Sequence, residues 1–319
     1  MSELITLTNM ELTRFFLAIV LLLLSSHWFG FIFHRFKLPR VVGEILGGLL
    51  LGPSFLGYFS PQTYNFIFNA FEAEGKLISI IYWMGLVLLM FISGFEIQKS
   101  YEKGDSKLIL ALLLGATLIP FIAGWLAPNF FDFSPYLGHA NNMLALQIII
   151  AIAVAVTSIP VISKIFIDLN IIETRFARIV ISTATIQDVI LWVALAIATG
   201  LVSNSELNII YTVLITLAFF AITLLVMPKV LHIVSRMRYN LLMRSSLSGY
   251  ALFICFLFAA LASILNVNIV FGAFLAGIII GTMPQESFGT VKNHIKEISL
   301  AFFVPIYFAV VGLKLDLIH

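Results

Sequence analysis

Asp188 sits near the middle of a long apolar run, ARIVISTATIQDVILWVALAIATG, directly after Gln187. A carboxylate at the centre of a bilayer costs about 2.5–3.5 kcal/mol on insertion scales, and such a residue normally faces water or the interior of a helix bundle. No other acid lies at comparable depth in an apolar run. Thr185, three residues earlier, shares a helix face with Asp188, and the small Ala184 leaves room beside the carboxylate. This grouping can hold a proton or a small cation; the simpler alternative is a protonated aspartate bonding across helices. The second suggestive stretch is IIIAIAVAVTSIPVISKIFIDL. Pro160 removes a backbone donor and biases Ile159 away from helix, while Thr157 and Ser158 can satisfy the freed backbone groups. Broken helices at membrane depth line cavities, and transporters present such helix ends to ions. A plain proline kink is the alternative. Glu44, in VVGEILGGLLLGP, and Glu96, in FISGFEIQ, lie nearer the ends of their apolar runs and read, with Pro160, as gate-lining or structural. His27 reads as a packing histidine, and Lys314 as a side chain that snorkels to the headgroups.

These residues need a membrane-embedded scaffold, and the composition supplies one. Of 319 residues, 61% are hydrophobic and only 11% charged, with a mean hydropathy of +1.08. Soluble domains carry about 45–50% apolar and about 25% charged residues. A soluble enzyme is therefore excluded, and 30 phenylalanines exclude a disordered chain. A net charge of +2 without a basic block excludes a nucleic-acid binder. Cys255 is the only cysteine, so no intrachain disulfide or cysteine metal cluster forms. No nucleophile–base pair, phosphate loop or metal-ligand spacing is present, so neither catalysis nor a resident cofactor is expected.

Helices of about 20 apolar residues cross a bilayer. Ten are expected, over 14–33, 40–58, 77–98, 108–127, 144–168, 174–200, 208–229, 247–264, 268–283 and 297–315. The first is too long for a cleavable signal, lacks a preceding basic cluster, and has no small-residue cleavage site after it. With these spans, 15 of the 18 Lys and Arg residues fall on one side; Arg14, Lys76 and Lys314 fall on the other. Positive charge stays inside, so the expectation is a multi-pass cell-membrane protein with its N-terminus outside.

An internal repeat organises the spans. Residues 41–52, VVGEILGGLLLG, match 270–281, VFGAFLAGIIIG, at an offset of 229. Val41, Gly43, Leu46, Gly48 and Gly52 have identical partners in Val270, Gly272, Leu275, Gly277 and Gly281. The following spans end alike, in SGFEI at 93–97 and VGLKL at 311–315. The two copies run in opposite directions across the expected topology, a pattern that builds secondary transporters. The expected fold is an all-α polytopic membrane protein with inverted repeats and one broken crossing helix. It forms a single transmembrane domain over 1–319. The first repeat covers about 40–200, linking helices about 208–264, and a partial second repeat about 268–315. By symmetry three further spans would complete the second repeat, in a continuation of this polypeptide or in a partner subunit; a reduced relative would lack them.

The segments LPRVVGEILGGLLLGP, FISGFEI, TSIPV and IQDV, the glycine-rich ninth span and FFVPIYFAVVGLKLDL together resemble the monovalent cation:proton antiporter superfamily, particularly its Kef-like subfamily. The resemblance covers nearly all of the sequence. It implies a thirteen-helix homodimer whose ion site lies where two broken helices cross beside an acidic helix, accompanied by a C-terminal regulatory domain or a partner chain. It assigns Asp188 as the essential carboxylate and Gln187 to the position that is a second acid in electrogenic members. Thr157 and Ser158 match the unwound stretch near the ion. Phe302–Phe308 lacks the deep basic residue of electrogenic members, which implies one-for-one exchange. The implied activity is exchange of K⁺ or Na⁺ for H⁺ by alternating access, proton and cation competing for Asp188, with Gln187 orienting the carboxylate or an ion-bound water. Two alternatives stay open at this point: a sodium-coupled symporter for an organic anion, and a non-transporting ion sensor or scaffold that keeps the same fold.

Overall fold

The structure, a computed structural model, describes residues 7–97, 103–137, 141–203, 206–236, 241–265 and 267–317. All regular structure among these residues is helical. Eight helical stretches are long and apolar enough to cross a bilayer, and a ninth arises if two helices bent by 43° count as one. The protein is an all-α, multi-pass membrane protein.

In sequence order the helices are α1 (Asn9–Arg35), α2 (Arg40–Leu51), α3 (Pro61–Phe68), α4 (Glu74–Ile97), α5 (Ser106–Leu113), α6 (Ile119–Leu126), α7 (Met143–Ala155) and α8 (Ile159–Asp168). They continue with α9 (Arg175–Ser203), α10 (Glu206–Leu225), α11 (Met227–Arg236), α12 (Leu241–Ser245), α13 (Leu247–Ile264), α14 (Ile269–Gly281), α15 (Gln285–Ile298) and α16 (Val304–Leu313). Starts are capped as the residue types dictate. Thr8 and Glu11 form a capping box on α1, and the Asn142, Ser246 and Asn268 side chains accept from the first turns of α7, α13 and α14. Widened π turns at 53–57, 114–118 and 299–303 each contain or shortly precede a proline, Pro53, Pro120 or Pro305. The ring removes a donor and crowds the carbonyl four residues back, and the ladder loosens there.

Two expected spans come out differently. The seventh, 208–229, bends near Val226, because Pro228 cannot donate in the first turn of α11. The ninth, 268–283, is the 13-residue α14, about 20 Å long against a hydrocarbon core of about 30 Å. Nine of its residues are buried, so it is sheathed in protein rather than lipid. Two lysines counted among the flanking charges are also buried. Lys164 forms ion pairs, and Lys292 donates to the Gly281 carbonyl at 3.3 Å. Lys314 does not simply reach outward: its Nζ lies 4.1 Å from the centre of the Tyr82 ring.

Backbone-to-backbone approaches at glycines hold the core together. An added Cβ at Gly43 would lie 2.3 Å from the Phe29 carbonyl oxygen, bringing α2 against α1. At Gly48 it would lie 1.7 Å from Ala309 O, and at Gly312 1.9 Å from Ile45 O, bringing α2 against α16. The same approaches recur one repeat on. Gly272 meets Phe258 O at 2.2 Å, Gly277 meets Phe91 O at 2.1 Å, and Gly94 meets Phe274 O at 2.2 Å. Each of these residues stands 229 or 218 positions from its counterpart, the offsets of the two sequence matches. Gly48 on Ala309 O, Gly52 on Leu313 O and Ser54 Oγ on Leu315 O advance together, so α2 runs parallel to α16. Gly85 on Phe303 and Tyr82 against Tyr307 and Lys314 run in opposite order, so α16 is antiparallel to α4. Small residues permit this because helices in lipid gain by close packing rather than by hydrophobic burial.

Candidate ion-binding site

The apolar segment 144–168 is not one helix. α7 stops at Ala155, Val156 and Ser158 are extended (φ −64°, ψ 136° and φ −96°, ψ 95°), and α8 starts at Ile159. Pro160 falls in the first turn of α8, where its missing N–H has no intrahelical partner to lose. The proline thus starts a new helix instead of bending an existing one. The break leaves the C-terminal carbonyls of α7 and the N-terminal amides of α8 facing one region, with negative and positive partial charge respectively.

α9 runs beside this break and supplies its closure. The Gln187 side chain is buried; its Nε2 donates to the Ala155 carbonyl, and its Oε1 accepts from Thr157 Oγ1 at 2.8 Å. This orientation is the only one that satisfies both partners, since a carbonyl can only accept and an amide nitrogen only donate. One side chain therefore bridges the last residue of α7 and the middle of the unwound stretch, supplying the donor that the helix end lacks.

Asp188, about 100° further round α9, points elsewhere. It lines a cavity of about 360 Å³ with Ile152, Val156, Thr157, Ser158, Ile159, Pro160, Leu191 and Leu195. Asp188, Leu191 and Leu195 form one face of α9, and the break forms the opposite wall. Water occupies about 30 Å³ per molecule in the liquid, so the cavity has room for a partly hydrated monovalent cation. Among the described residues no hydrogen bond or ion pair engages the Asp188 carboxylate, whose charge is left for whatever enters the cavity.

The structure gathers Asp188, Thr157, Ser158 and Pro160 at one cavity, with Gln187 behind it. Gln187 bonds to the break rather than to the carboxylate it was expected to orient. Thr185 is not at the site: its hydroxyl donates to Ile181 O at 2.7 Å, the usual recourse of a mid-helix threonine. Glu44 is away from the cavity and pairs with Lys164 at 3.2 Å. Glu96 lies near the end of α4, and its side chain is outside the described residues. The position of Lys164 four residues before Asp168 was the available sequence signal for their pairing; the contact with Glu44, 120 positions away, had none. His27 donates to Ala301 O at 3.0 Å, in the π turn preceding α16.

Residues 18–319 match the sodium/hydrogen exchanger transmembrane family. The K(+)/H(+) antiporter 1 of Saccharomyces cerevisiae is 31% identical over 97% of this chain, which spans only 36% of that relative. The Na(+)/H(+)-K(+) antiporter GerN of Bacillus cereus is 26% identical over 95% of this chain and 72% of its own length. Cation/H(+) antiporter 18 of Arabidopsis thaliana is 25% identical over 93% of this chain and 36% of its own. The sequence thus spans about a third of the yeast and plant relatives. The chain belongs to the sodium/hydrogen exchanger transmembrane family, within the monovalent cation:proton antiporter superfamily.

Proposed function

We propose that the protein exchanges K⁺ or Na⁺ for H⁺, with Asp188 as the group both ions share. The observation that carries this reading is the cavity that sets the Asp188 carboxylate against the unwound residues Val156–Ser158. The carboxylate offers negative charge, and the break offers hydroxyl and carbonyl oxygens that suit a hard monovalent cation. Burial penalises an unpaired carboxylate; a cation or a proton relieves the penalty, and they cannot do so together. With one carboxylate on the cavity, one cation replaces one proton and no net charge moves. The names of the yeast, bacterial and plant relatives support this activity class. Among the described residues no cationic group lines the cavity, which disfavours an organic-anion substrate.

We further infer that the two halves are inverted repeats beginning at α1 and α13. Support comes from the glycine approaches that recur at the offsets 229 and 218 and from the antiparallel packing of α16, at the end of the second repeat, on α4 of the first. This reading brings α13 into the second repeat instead of among linking helices. Movement of the α7–α9 unit against the glycine-packed helices would expose the cavity to each side in turn.

The deciding experiment is Asp188→Asn in reconstituted vesicles, with proton movement driven by a K⁺ or Na⁺ gradient. The substitution should abolish exchange while leaving membrane insertion intact. Undiminished exchange rejects the assignment of Asp188.

A further inference from the structure

Away from the cavity, α8 carries a second group of buried charges. Lys164 Nζ lies 2.9 Å from Asp168 Oδ1, one turn along α8, and 3.2 Å from Glu44 Oε1 on α2. All three side chains are at most 6% exposed. The remaining carboxyl oxygens, Glu44 Oε2 and Asp168 Oδ2, are fully buried and have no hydrogen-bond partner. Two carboxylates against one ammonium leave an excess negative charge in a place that water does not reach, and an uncompensated buried charge is far more costly than a buried neutral acid.

The surrounding elements offer little to cancel it. On α1, Gly30 lies against Glu44 Cγ, where an added Cβ would sit 3.4 Å away. His27, also on α1, lies three residues before Gly30. It is exposed and already donates to Ala301 O. Arg40, one turn before Glu44, is exposed, and among the described residues it makes no ion pair. On α16, Lys314 is engaged with the Tyr82 ring. On α4, the Glu96 side chain lies outside the described residues.

We propose that the Glu44–Lys164–Asp168 cluster is a second proton-binding site, distinct from Asp188, in which a proton on Glu44 cancels the excess negative charge. Glu44 holds it because Lys164 is closer to Asp168 and stabilises that carboxylate first. Lys164 and Asp168 lie five and nine residues along α8 from the cavity-lining Ile159, about 8 and 14 Å along the helix. It stands on its own geometry and does not depend on the role given to Asp188.

Infrared difference spectroscopy of the full-length protein in lipid, between neutral and alkaline pH, tests this in an Asp188→Asn background that silences the cavity. A deuterium-sensitive carboxylic-acid band should be present at neutral pH and lost on adding Glu44→Gln. Adding Asp168→Asn should also remove it, because Lys164 then balances Glu44 alone and no proton is needed. That second variant keeps the test decisive if Glu44→Gln does not fold. Absence of the band in Asp188→Asn overturns the proposal, since charge balance by His27 or by a bound cation would give that result. Persistence of the band in either added variant also overturns it. Cation-driven flux with Asp188 intact is a separate reading, and neither result decides the other.

Discussion

Gln187→Leu isolates the bridge that holds the broken helix in register. The substitution keeps much of the side chain's bulk and deletes both of its bonds, to Ala155 O and from Thr157 Oγ1. The Ala155 carbonyl loses a partner inside a buried site, a loss that costs about 1–3 kcal/mol. The Thr157 hydroxyl can rotate towards the cavity, so its share is smaller, about 0.5–1 kcal/mol. Gln187→Leu should therefore destabilise by about 2–3 kcal/mol in equilibrium unfolding in mixed detergents. Thr157→Val deletes one bond and should cost about 1 kcal/mol. Because both changes remove the same Thr157–Gln187 bond, the double variant should cost little more than Gln187→Leu alone, a coupling of about 1 kcal/mol. Amide exchange at 156–158 should quicken in Gln187→Leu and hardly change in Thr157→Val. Simple additivity of the two substitutions, or a cost below about 0.5 kcal/mol for Gln187→Leu, would refute the bridge.

Other expectations rest on the same geometry. If proton and cation share Asp188, apparent cation affinity should weaken by about tenfold per unit fall in pH once the protonated form dominates, and an affinity flat with pH counts against a shared site. Vesicle exchange should be insensitive to an imposed membrane potential; a steep dependence would mean that more than one cation crosses per proton, or the reverse. Gly48→Ala and Gly277→Ala place a Cβ 1.7 and 2.1 Å, respectively, from a backbone oxygen. Each should cost about 3 kcal/mol or more. Gly75→Ala, with nothing within 4 Å, should instead stabilise by about 0.5–1 kcal/mol, which unfolding measurements on the three variants would check. Lys164→Met should destabilise by about 3–5 kcal/mol, whereas replacing Glu44, Lys164 and Asp168 together with apolar residues should come near neutral. A lone Lys164→Met that unfolds like the parent would show that Lys164 balances no buried carboxylate.

The amino-acid order by itself determined the features that local chemistry dictates. Apolar length set the membrane helices, Pro160 with Thr157 and Ser158 set the break, and the solitary depth of Asp188 marked the acid. The glycine spacing of 41–52 and 270–281 marked surfaces for close approach, since a missing Cβ is a property of the residue itself. Partner choice was a different matter. Gln187 reads locally as a companion to its neighbour Asp188, but adjacent residues on a helix point about 100° apart. Only packing of α9 on the break showed it tied to Ala155 and Thr157. Thr185 shared the right face, yet its nearest acceptor was its own backbone at Ile181. Lys164 looked like a flanking charge until α8 met α2 and Glu44, because an ion pair between residues 120 positions apart leaves no trace in spacing. The short α14 survives as a core helix for the same reason: its length falls below a bilayer's thickness, and only the helices around it decide that protein, not lipid, surrounds it.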